Sequence, residues 1–166
     1  MGGVNFSLRD FRRQDLETLW RIDQACFAPG IAYSRRELAG FIRLWRSFTL
    51  VAETMANGAQ AAGSPEIAGF LIAEARTTTG HIITIDVLPA ARRAGLGSQL
   101  LEAAENRLLT AGCHMVYLET AADNLAAQAF YQRQGYAHLK TVPGYYSNGM
   151  DALILTKDLL SRAQAS

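Results

Sequence analysis

Hydrophobic and polar positions along this chain repeat with two periods, and these periods predict its elements. Alternating apolar residues and short β-branched runs predict strands near residues 4–8, 49–53, 67–75, 82–88, 114–120, 136–142 and 152–156. Apolar residues that recur every third or fourth position predict helices near residues 15–27, 35–45, 96–110 and 124–134. The order β-α-α-β-β-β-α-β-α-β-β predicts an α/β (α+β) protein with a mixed central sheet flanked by helices.

Local signals between these elements agree with the periodicity. Ser34 stands three residues before Glu37, which is the spacing of a capping box at the start of a helix. Gly135 follows the last predicted helix, where a C-terminal glycine is common. The segment from Ala56 to Pro65 is rich in small and polar residues and predicts a surface loop.

Composition narrows the class of protein. The chain has 166 residues, of which 49% are hydrophobic and 19% charged, so we expect residues 1–166 to form a single globular domain. A net charge of +1 gives no sign of a nucleic-acid or membrane-surface partner. The N-terminus lacks the pattern of a signal peptide and no apolar run is long enough to span a membrane, so a cytoplasmic location is expected.

The cysteines and histidines do not indicate a metal site. Cys26 and Cys113 are the two cysteines and have no metal-type spacing, so both are expected to be reduced, inert thiols. His81, His114 and His138 are far apart in the sequence, and we interpret them as structural residues. No metal-binding residues are therefore predicted.

The segment from Ile82 to Ala111 has the clearest chemical signal. A β-branched strand is followed by Pro89, by the turn Arg92-Arg93-Ala94-Gly95-Leu96-Gly97-Ser98, and by an amphipathic helix. The start of a helix leaves backbone N–H groups unpaired and carries partial positive charge. Glycines let a ligand approach the backbone closely, and arginines pair well with phosphate oxygens. The sequence therefore predicts binding of a phosphate or pyrophosphate group.

Spacing decides which phosphate ligand fits this turn. No Gly-Lys-Ser/Thr follows the glycines, so the turn is not a P-loop, and Leu100 stands where a dinucleotide fingerprint needs its third glycine. The remaining pattern, Arg-x-x-Gly-x-Gly, resembles the pyrophosphate loop of the GNAT acyltransferases. A second segment, Asn124 to Tyr136, resembles the family pattern N-x-x-A-x-x-x-Y-x-x-x-G-F/Y, with Ala127, Tyr131 and Gly135 in place.

From these two motifs the chain is identified as a member of the GNAT N-acetyltransferase superfamily, with a resemblance that runs from about Leu50 to Leu155. Within the superfamily it resembles the ribosomal-protein alanine N-acetyltransferases at Leu118-Glu119, Tyr131 and Tyr145-Tyr146. The resemblance implies one domain with a mostly antiparallel central sheet and acetyl-CoA as cosubstrate. It also implies direct attack of an amine on the acetyl-CoA thioester.

The resemblance assigns catalytic roles to two residues. Glu119 is the expected base, acting directly or through water, because the attacking amine must be neutral. An α-amine, with a pKa of about 8, loses its proton more readily than a lysine, with a pKa of about 10.4. Tyr131 is the expected acid that protonates the departing CoA thiolate, because a phenol with a pKa of about 10 is protonated at neutral pH.

Further positions are implied for binding. The main chain of Ile85 and Val87 would pair with pantetheine, and the Val87 N–H would polarise the thioester carbonyl. The full set of cofactor-binding positions is Ile85, Val87, Arg92, Arg93, Gly95, Leu96, Gly97, Ser98, Asn124 and Tyr131. The positions expected to face the acceptor amine are Tyr33, Asp86, Tyr145 and Tyr146.

The function expected from the sequence is acetylation of a protein or peptide N-terminal α-amine. A small-molecule amine (a polyamine, an amino acid or an aminoglycoside) is an alternative acceptor. A non-catalytic acyl-CoA-binding sensor and a phosphate-binding module unrelated to CoA are alternatives outside the enzyme class. The sequence leaves the acyl-chain preference open, and it does not distinguish a monomer from a homodimer.

Overall fold

The computed structural model describes residues 4–55 and 63–164, so residues 56–62 of the predicted surface loop lie outside it. Its strands are β1 (Phe6–Asp10), β2 (Ser47–Thr54), β3 (Ile67–Ala75), β4 (Thr79–Val87), β5 (Met115–Ala121), β6 (Ala137–Val142) and β7 (Ala152–Asp158). Its helices are α1 (Leu16–Cys26), α2 (Arg35–Ile42), α3 (Leu96–Thr110), α4 (Leu125–Arg133) and α5 (Leu159–Gln164). No helix in the described residues combines the length and apolar character needed to cross a membrane.

The strands of the described chain form one seven-stranded sheet in the order β1-β2-β3-β4-β5-β7-β6. Neighbouring strands are antiparallel except β4 and β5, which run parallel. The predicted mixed, mostly antiparallel sheet flanked by helices is therefore confirmed. The elements also follow the predicted order, with the short helix α5 as an addition after β7.

Several boundaries differ from the sequence prediction by a few residues, and those of β4 and α2 have a clear structural reason. β4 begins at Thr79 rather than near Ile82, because Thr79 and Gly80 extend its parallel pairing with β5. The side chain of Leu108 from α3 fills the space above Gly80, where a Cβ would lie 2.6 Å from a Leu108 methyl carbon. α2 ends at Ile42, so the apolar residues that follow it belong to the connection with β2.

Helices cover both faces of the sheet, and each face has its own buried cluster. We call the side that packs against α3 and α4 the α3 face; its cluster includes Leu71, Ile82, Leu96, Leu100, Leu101, Leu108, Leu118 and Tyr131. We call the opposite side the α1 face; its cluster comprises Leu19, Ile22, Leu38, Val51, Phe70, Ile72 and Ile83. Because both faces are buried, the central strands are almost continuously apolar, as their sequences show.

A β-bulge interrupts the alternation of side chains in β4. Ile72 of β3 pairs with Thr84, but the next β3 residue, Ala73, pairs with Ile82, so Ile83 is an extra residue. Ile83 packs on the α1 face, whereas Ile82 packs on the α3 face. Beyond the bulge, alternation places Asp86 on the α1 face. The bulge therefore brings the polar residues of β4 to the same side as α1.

β4 and β5 separate at their C-terminal ends. Their parallel pairing runs from Thr79 and Met115 to Ile82 and Leu118 and then stops. β4 nevertheless continues to Val87 and β5 to Ala121, where β5 remains paired with β7. The gap between residues 83–87 and 119–121, called here the β4–β5 cleft, leaves backbone groups of β4 without a neighbouring strand on that side.

Candidate active site

The backbone of β4 presents two amides to the β4–β5 cleft. The N–H of Leu88 donates to the Ala68 carbonyl of the neighbouring chain segment at 2.9 Å. Because N–H groups alternate in direction along an antiparallel strand, those of Ile85 and Val87 point away from β3 and into the cleft. The Val87 carbonyl accepts a hydrogen bond from Arg92 Nε at 3.0 Å. The predicted pantetheine-pairing residues thus have their amides directed into open space.

The turn after β4 ends in a helix start whose amides are not capped. Arg93 and Gly95 adopt left-handed backbone conformations, with φ of 68° and 79°. No side chain caps α3, and its first intrahelical bond is made by the N–H of Gln99 to Gly95. The amides of residues 96–98 are therefore available to an anion. The side chain of Leu96 is buried in the core, so this residue can offer a ligand its main chain only.

Gly97 and Ser98 have structural contacts that the motif alone does not reveal. A Cβ on Gly97 would lie 3.2 Å from the Phe130 ring, so a glycine here lets α3 approach α4 closely. Ser98 Oγ accepts a hydrogen bond from Gln134 Nε2 at 2.9 Å, just after α4. These contacts fix the position of the helix start relative to α4.

Asn124 and Tyr131 lie at different places on α4. Asn124 is the N-cap, and its Oδ1 accepts the Ala127 N–H at 3.1 Å. Tyr131 lies within the helix with 7% of its surface exposed. Burial raises the pKa of the Tyr131 phenol well above its ordinary value, and the Asp86 and Tyr146 side chains raise it further. The phenol thus holds its proton much more tightly than a free tyrosine does.

Glu119 has a partner that the sequence analysis missed. His81 Nε2 lies 2.7 Å from Glu119 Oε2, and each of the two side chains is 15% exposed. The His81 ring stacks on Tyr117, with 4.3 Å between ring centroids and 5° between planes. Because His81 and Glu119 are 38 residues apart, only the parallel pairing of β4 with β5 brings them together. The candidate base Glu119 is thus one member of a hydrogen-bonded pair with His81.

Three tyrosines that the sequence assigned to the acceptor lie near this pair. Burial raises the pKa of Tyr33, Tyr145 and Tyr146, and the nearby Glu119 charge contributes to each increase. Tyr145 and Tyr146 pack edge to face with ring centroids 5.0 Å apart. All three therefore lie near enough for the Glu119 charge to act on them, and we call these three residues the tyrosine wall.

The two loops that carry the tyrosine wall also contact each other. Ser147 Oγ donates to the Gly30 carbonyl at 2.9 Å. Gly30 has φ of +87°, and a Cβ there would lie 2.8 Å from the Cβ of Asn148. An open cavity of about 460 Å³ adjoins this contact; its lining includes Trp20, Gln24, Phe27, Tyr33 and Ser147. Glu119 and Tyr131 do not line this cavity, so it lies beside the candidate catalytic groups rather than around them.

The structure places Asp86 differently from the expectation that it faces the acceptor. The side chain is 1% exposed. Asp86 Oδ1 accepts a hydrogen bond from Thr84 Oγ1 at 2.6 Å. Burial raises the pKa of Asp86 well above its usual range, and the neighbouring Asp23 carboxyl raises it further. Asp86 thus has no exposed surface to offer an acceptor amine.

A sheet whose parallel pair opens beside an uncapped helix start is the arrangement expected of an acyltransferase of the GNAT type. The family model described as Acetyltransferase (GNAT) family matches residues 5–136. The chain therefore belongs to this family and is an acyltransferase, and the resemblance stated from its sequence motifs is confirmed.

Individual relatives agree with this membership. The chain is 29% identical over 151 residues to an uncharacterized N-acetyltransferase of Methanocaldococcus jannaschii, with 90% of each chain covered. It is 33% identical over 81 residues to an N-alpha-acetyltransferase of Saccharolobus solfataricus, a match that spans 48% of each chain. Its structure is similar to the ribosomal-protein-S18-alanine N-acetyltransferase from Escherichia coli, with a TM-score of 0.77 and 25% identity over 93% of this chain and 94% of that chain.

Proposed function

We propose that this protein transfers the acetyl group of acetyl-CoA to the N-terminal α-amine of a protein or peptide. The observation that carries the proposal is the His81–Glu119 pair, which lies next to the β4–β5 cleft and close enough to the tyrosine wall for its charge to act on those phenols. The similarity to an N-alpha-acetyltransferase over half of the chain supports the choice of acceptor.

The cleft and the turn beside it suit the two polar parts of CoA. Pantetheine contains amides, which can pair with the outward-facing N–H groups of Ile85 and Val87 as a further strand would. The uncapped start of α3 and the guanidinium of Arg93 suit a pyrophosphate. Arg92 already donates to the Val87 carbonyl, so its role includes holding the end of β4 in place.

The His81–Glu119 pair supplies the base. Glu119 accepts a proton from the attacking amine, directly or through water, while His81 orients the carboxylate through their hydrogen bond. The neutral amine attacks the thioester carbon, and the Val87 N–H stabilises the charge that develops on the carbonyl oxygen. As the tetrahedral intermediate collapses, the C–S bond breaks, the thiolate receives a proton from Tyr131, and the new amide nitrogen gives up its extra proton, which restores the Tyr131 phenol.

The raised pKa of Tyr131 defines how it assists. A strongly held proton makes the phenol a hydrogen-bond donor that is fully protonated during the attack. It stabilises the negative charge on sulfur first, and it transfers its proton only as that charge is fully formed. Its burial beside the cleft keeps this proton away from solvent.

The side chains around Glu119 favour a peptide over a polyamine. A polyamine carries several positive charges and is best recognised by several exposed carboxylates. The groups facing Glu119 are instead an imidazole and phenols, which suit an extended chain with one amine. The cavity next to Tyr33 offers space for the residues that follow the first one.

Turnover of acetyl-CoA against a panel of acceptors tests the proposal. Release of free thiol would be followed with peptides starting with Ala, Ser or Met, the same peptides with a blocked N-terminus and an internal lysine, spermidine, and free amino acids. We expect turnover with the free N-termini and none with the blocked peptides. Preferential turnover of spermidine or an amino acid would contradict the assignment of the acceptor, and no binding of acetyl-CoA would contradict the whole proposal.

Three variants test the mechanism with a matched control. Glu119→Gln, His81→Gln and Tyr131→Phe should each lower kcat/KM by about 10²-fold, the size typical of losing one acid–base group. His138→Gln makes the same change at an exposed histidine that contacts Thr141, and it should retain wild-type activity. Near-wild-type activity of both Glu119→Gln and His81→Gln would exclude the pair as the base.

A further inference from the structure

Two acidic side chains meet in the buried layer between α1 and β4. Asp23 of α1 is 0% exposed and Asp86 of β4 is 1% exposed. One oxygen of each has a clear donor: Asp23 Oδ2 accepts the Tyr33 N–H at 2.7 Å, and Asp86 Oδ1 accepts the Thr84 hydroxyl at 2.6 Å. These bonds account for half of the four carboxyl oxygens.

The other two oxygens are buried without a hydrogen-bond donor among the described residues. They are Asp23 Oδ1 and Asp86 Oδ2. α1 meets β4 at this level, because Cys26 Sγ lies 3.5 Å from the Val87 carbonyl oxygen, and each of the two carboxyls acts on the pKa of the other. Two ionised carboxylates at such a place would repel and leave both oxygens unsatisfied, whereas one proton between them satisfies both.

We propose that Asp23 and Asp86 share one proton at neutral pH, and that this proton fixes the acceptor loop, defined here as the α1–α2 connection that carries Tyr33, to β4. Asp23 holds the N–H of Tyr33, and its neighbour Gln24 holds the Tyr33 carbonyl at 2.6 Å. Both backbone groups of Tyr33 are therefore attached to α1, and the shared proton attaches α1 to β4. Asp23 and Asp86 are positioning residues, and the part of this proposal that concerns the acceptor rests on the proposed function.

The groups around the pair determine the effect of losing this proton. Five titratable or charged groups act on the pair, and each comes from a different segment. They are Cys26 of α1, Tyr33 of the acceptor loop, Glu37 of α2, Arg92 of the turn after β4, and Tyr131 of α4. Arg92 is the positive group among them, and Glu37 adds negative charge near Asp23. Loss of the shared proton would therefore leave two repelling carboxylates, and α1 would release Tyr33 from its place in the tyrosine wall.

Infrared spectroscopy of the protein without any substrate tests the shared proton directly. Exposed carboxyls are ionised at neutral pH, so a protonated-carboxyl C=O band in the wild type is expected to come from the pair. The band should vanish in Asp23→Asn and in Asp86→Asn, because one amide then supplies the bridging hydrogen. It should persist in Asp10→Asn, which makes the same change at an exposed aspartate. Absence of the band in the wild type, or its persistence in both pair variants, would overturn the proposal.

Steady-state kinetics test the link to Tyr33. In the wild type the acceptor KM should rise about tenfold as alkaline pH removes the shared proton, a size typical of losing one buried hydrogen bond, while kcat at saturating acceptor changes little. In Asp23→Asn the amide oxygen still accepts from Tyr33 and the amide nitrogen donates to Asp86, so the KM should not rise. The same rise in both proteins would overturn the positioning role. Failure to acetylate any acceptor would count against the proposed function, and the infrared band would still decide whether the proton is shared.

Discussion

His81 and Glu119 form one hydrogen-bonded unit, so substitutions at the two sites should not be independent. Glu119→Gln removes the base itself, and His81→Gln removes the imidazole that orients it. We therefore expect the double variant His81→Gln/Glu119→Gln to be only slightly less active than either single variant, rather than to multiply their losses. Measuring kcat/KM for the four proteins of this cycle gives the coupling directly. Multiplicative losses would show that the two side chains act separately.

The raised pKa of Tyr131 makes a prediction about pH dependence. A phenol whose pKa is raised in the folded protein stays protonated, and so remains a donor, to higher pH than free tyrosine. Any decline of the wild-type kcat/KM at alkaline pH should therefore not reflect ionisation of the Tyr131 phenol. Tyr131→Phe is expected to lower the whole profile without changing its alkaline shape. A descending alkaline limb present in the wild type and absent from the variant would contradict this.

At the scale of elements, Gly69 of β3 is as important for the position of β4 as the glycines of the turn that follows β4. A Cβ at Gly69 would lie 2.6 Å from the Asp86 carbonyl oxygen and 3.3 Å from Val87 Cα, and backbone atoms cannot move aside cheaply. Gly69→Ala should lower the free energy of unfolding by about 1–3 kcal/mol, as overpacking commonly does. It should also weaken acetyl-CoA binding, because it displaces Val87.

Gly40 provides the matched control for that substitution. It lies within α2, and a Cβ there would meet nothing within 4 Å. Gly40→Ala should raise the free energy of unfolding by about 0.5–1 kcal/mol, because alanine is the better helix residue. Denaturant unfolding and calorimetric titration with acetyl-CoA would measure both variants. Equal effects of the two substitutions would contradict the importance of the close contact between Gly69 and β4.

The elements also show where sequence reasoning succeeds. The capping box at the start of α2 is confirmed, with Glu37 N donating to Ser34 Oγ at 3.2 Å and Ser34 N donating to Glu37 Oε2 at 2.8 Å. Gly135 has the expected left-handed backbone, with φ of 92°. Signals of this kind are contained in a few adjacent residues, so the sequence displays them directly.

At the scale of the whole molecule, the Asp23–Asp86 pair should make stability depend on pH. In the unfolded chain both aspartates lose their protons near a pKa of about 3.9, whereas burial raises the pKa of the folded pair. The stabilisation from the retained proton is complete below the unfolded pKa and is lost as pH rises toward the raised one. The expected slope is at most about 1.4 kcal/mol per pH unit.

Urea unfolding between about pH 5 and pH 7 checks this slope. The free energy of unfolding of the wild type should fall relative to that of Asp86→Asn as pH rises, because the variant has replaced the retained proton by an amide hydrogen. Asp10→Asn should follow the wild type. Parallel curves for the wild type and Asp86→Asn would show that the pair keeps no extra proton in the folded state.

Contacts between distant parts of the chain account for the two residue pairs that the sequence did not predict. The pyrophosphate turn and the Asn124–Tyr131 motif are each continuous segments, so their residue types and spacing were sufficient to predict the family. The His81–Glu119 pair depends on the parallel register of β4 and β5, and the Asp23–Asp86 pair depends on packing of α1 against a bulged strand. Neither register nor the bulge leaves a local pattern in the sequence.

The bulge at Ile83 gives β4 something like a reading frame. One extra residue sets the phase in which every later residue of the strand is assigned to a face of the sheet and to one of its two neighbours. Replacing Ile83 by another β-branched residue would keep that phase, whereas deleting Thr84 would invert it for Ile85, Asp86 and Val87. Asp86 would then turn away from Asp23, and the amides now directed into the cleft would turn toward β3. The chemistry of this strand is therefore encoded as much in its length as in its residues.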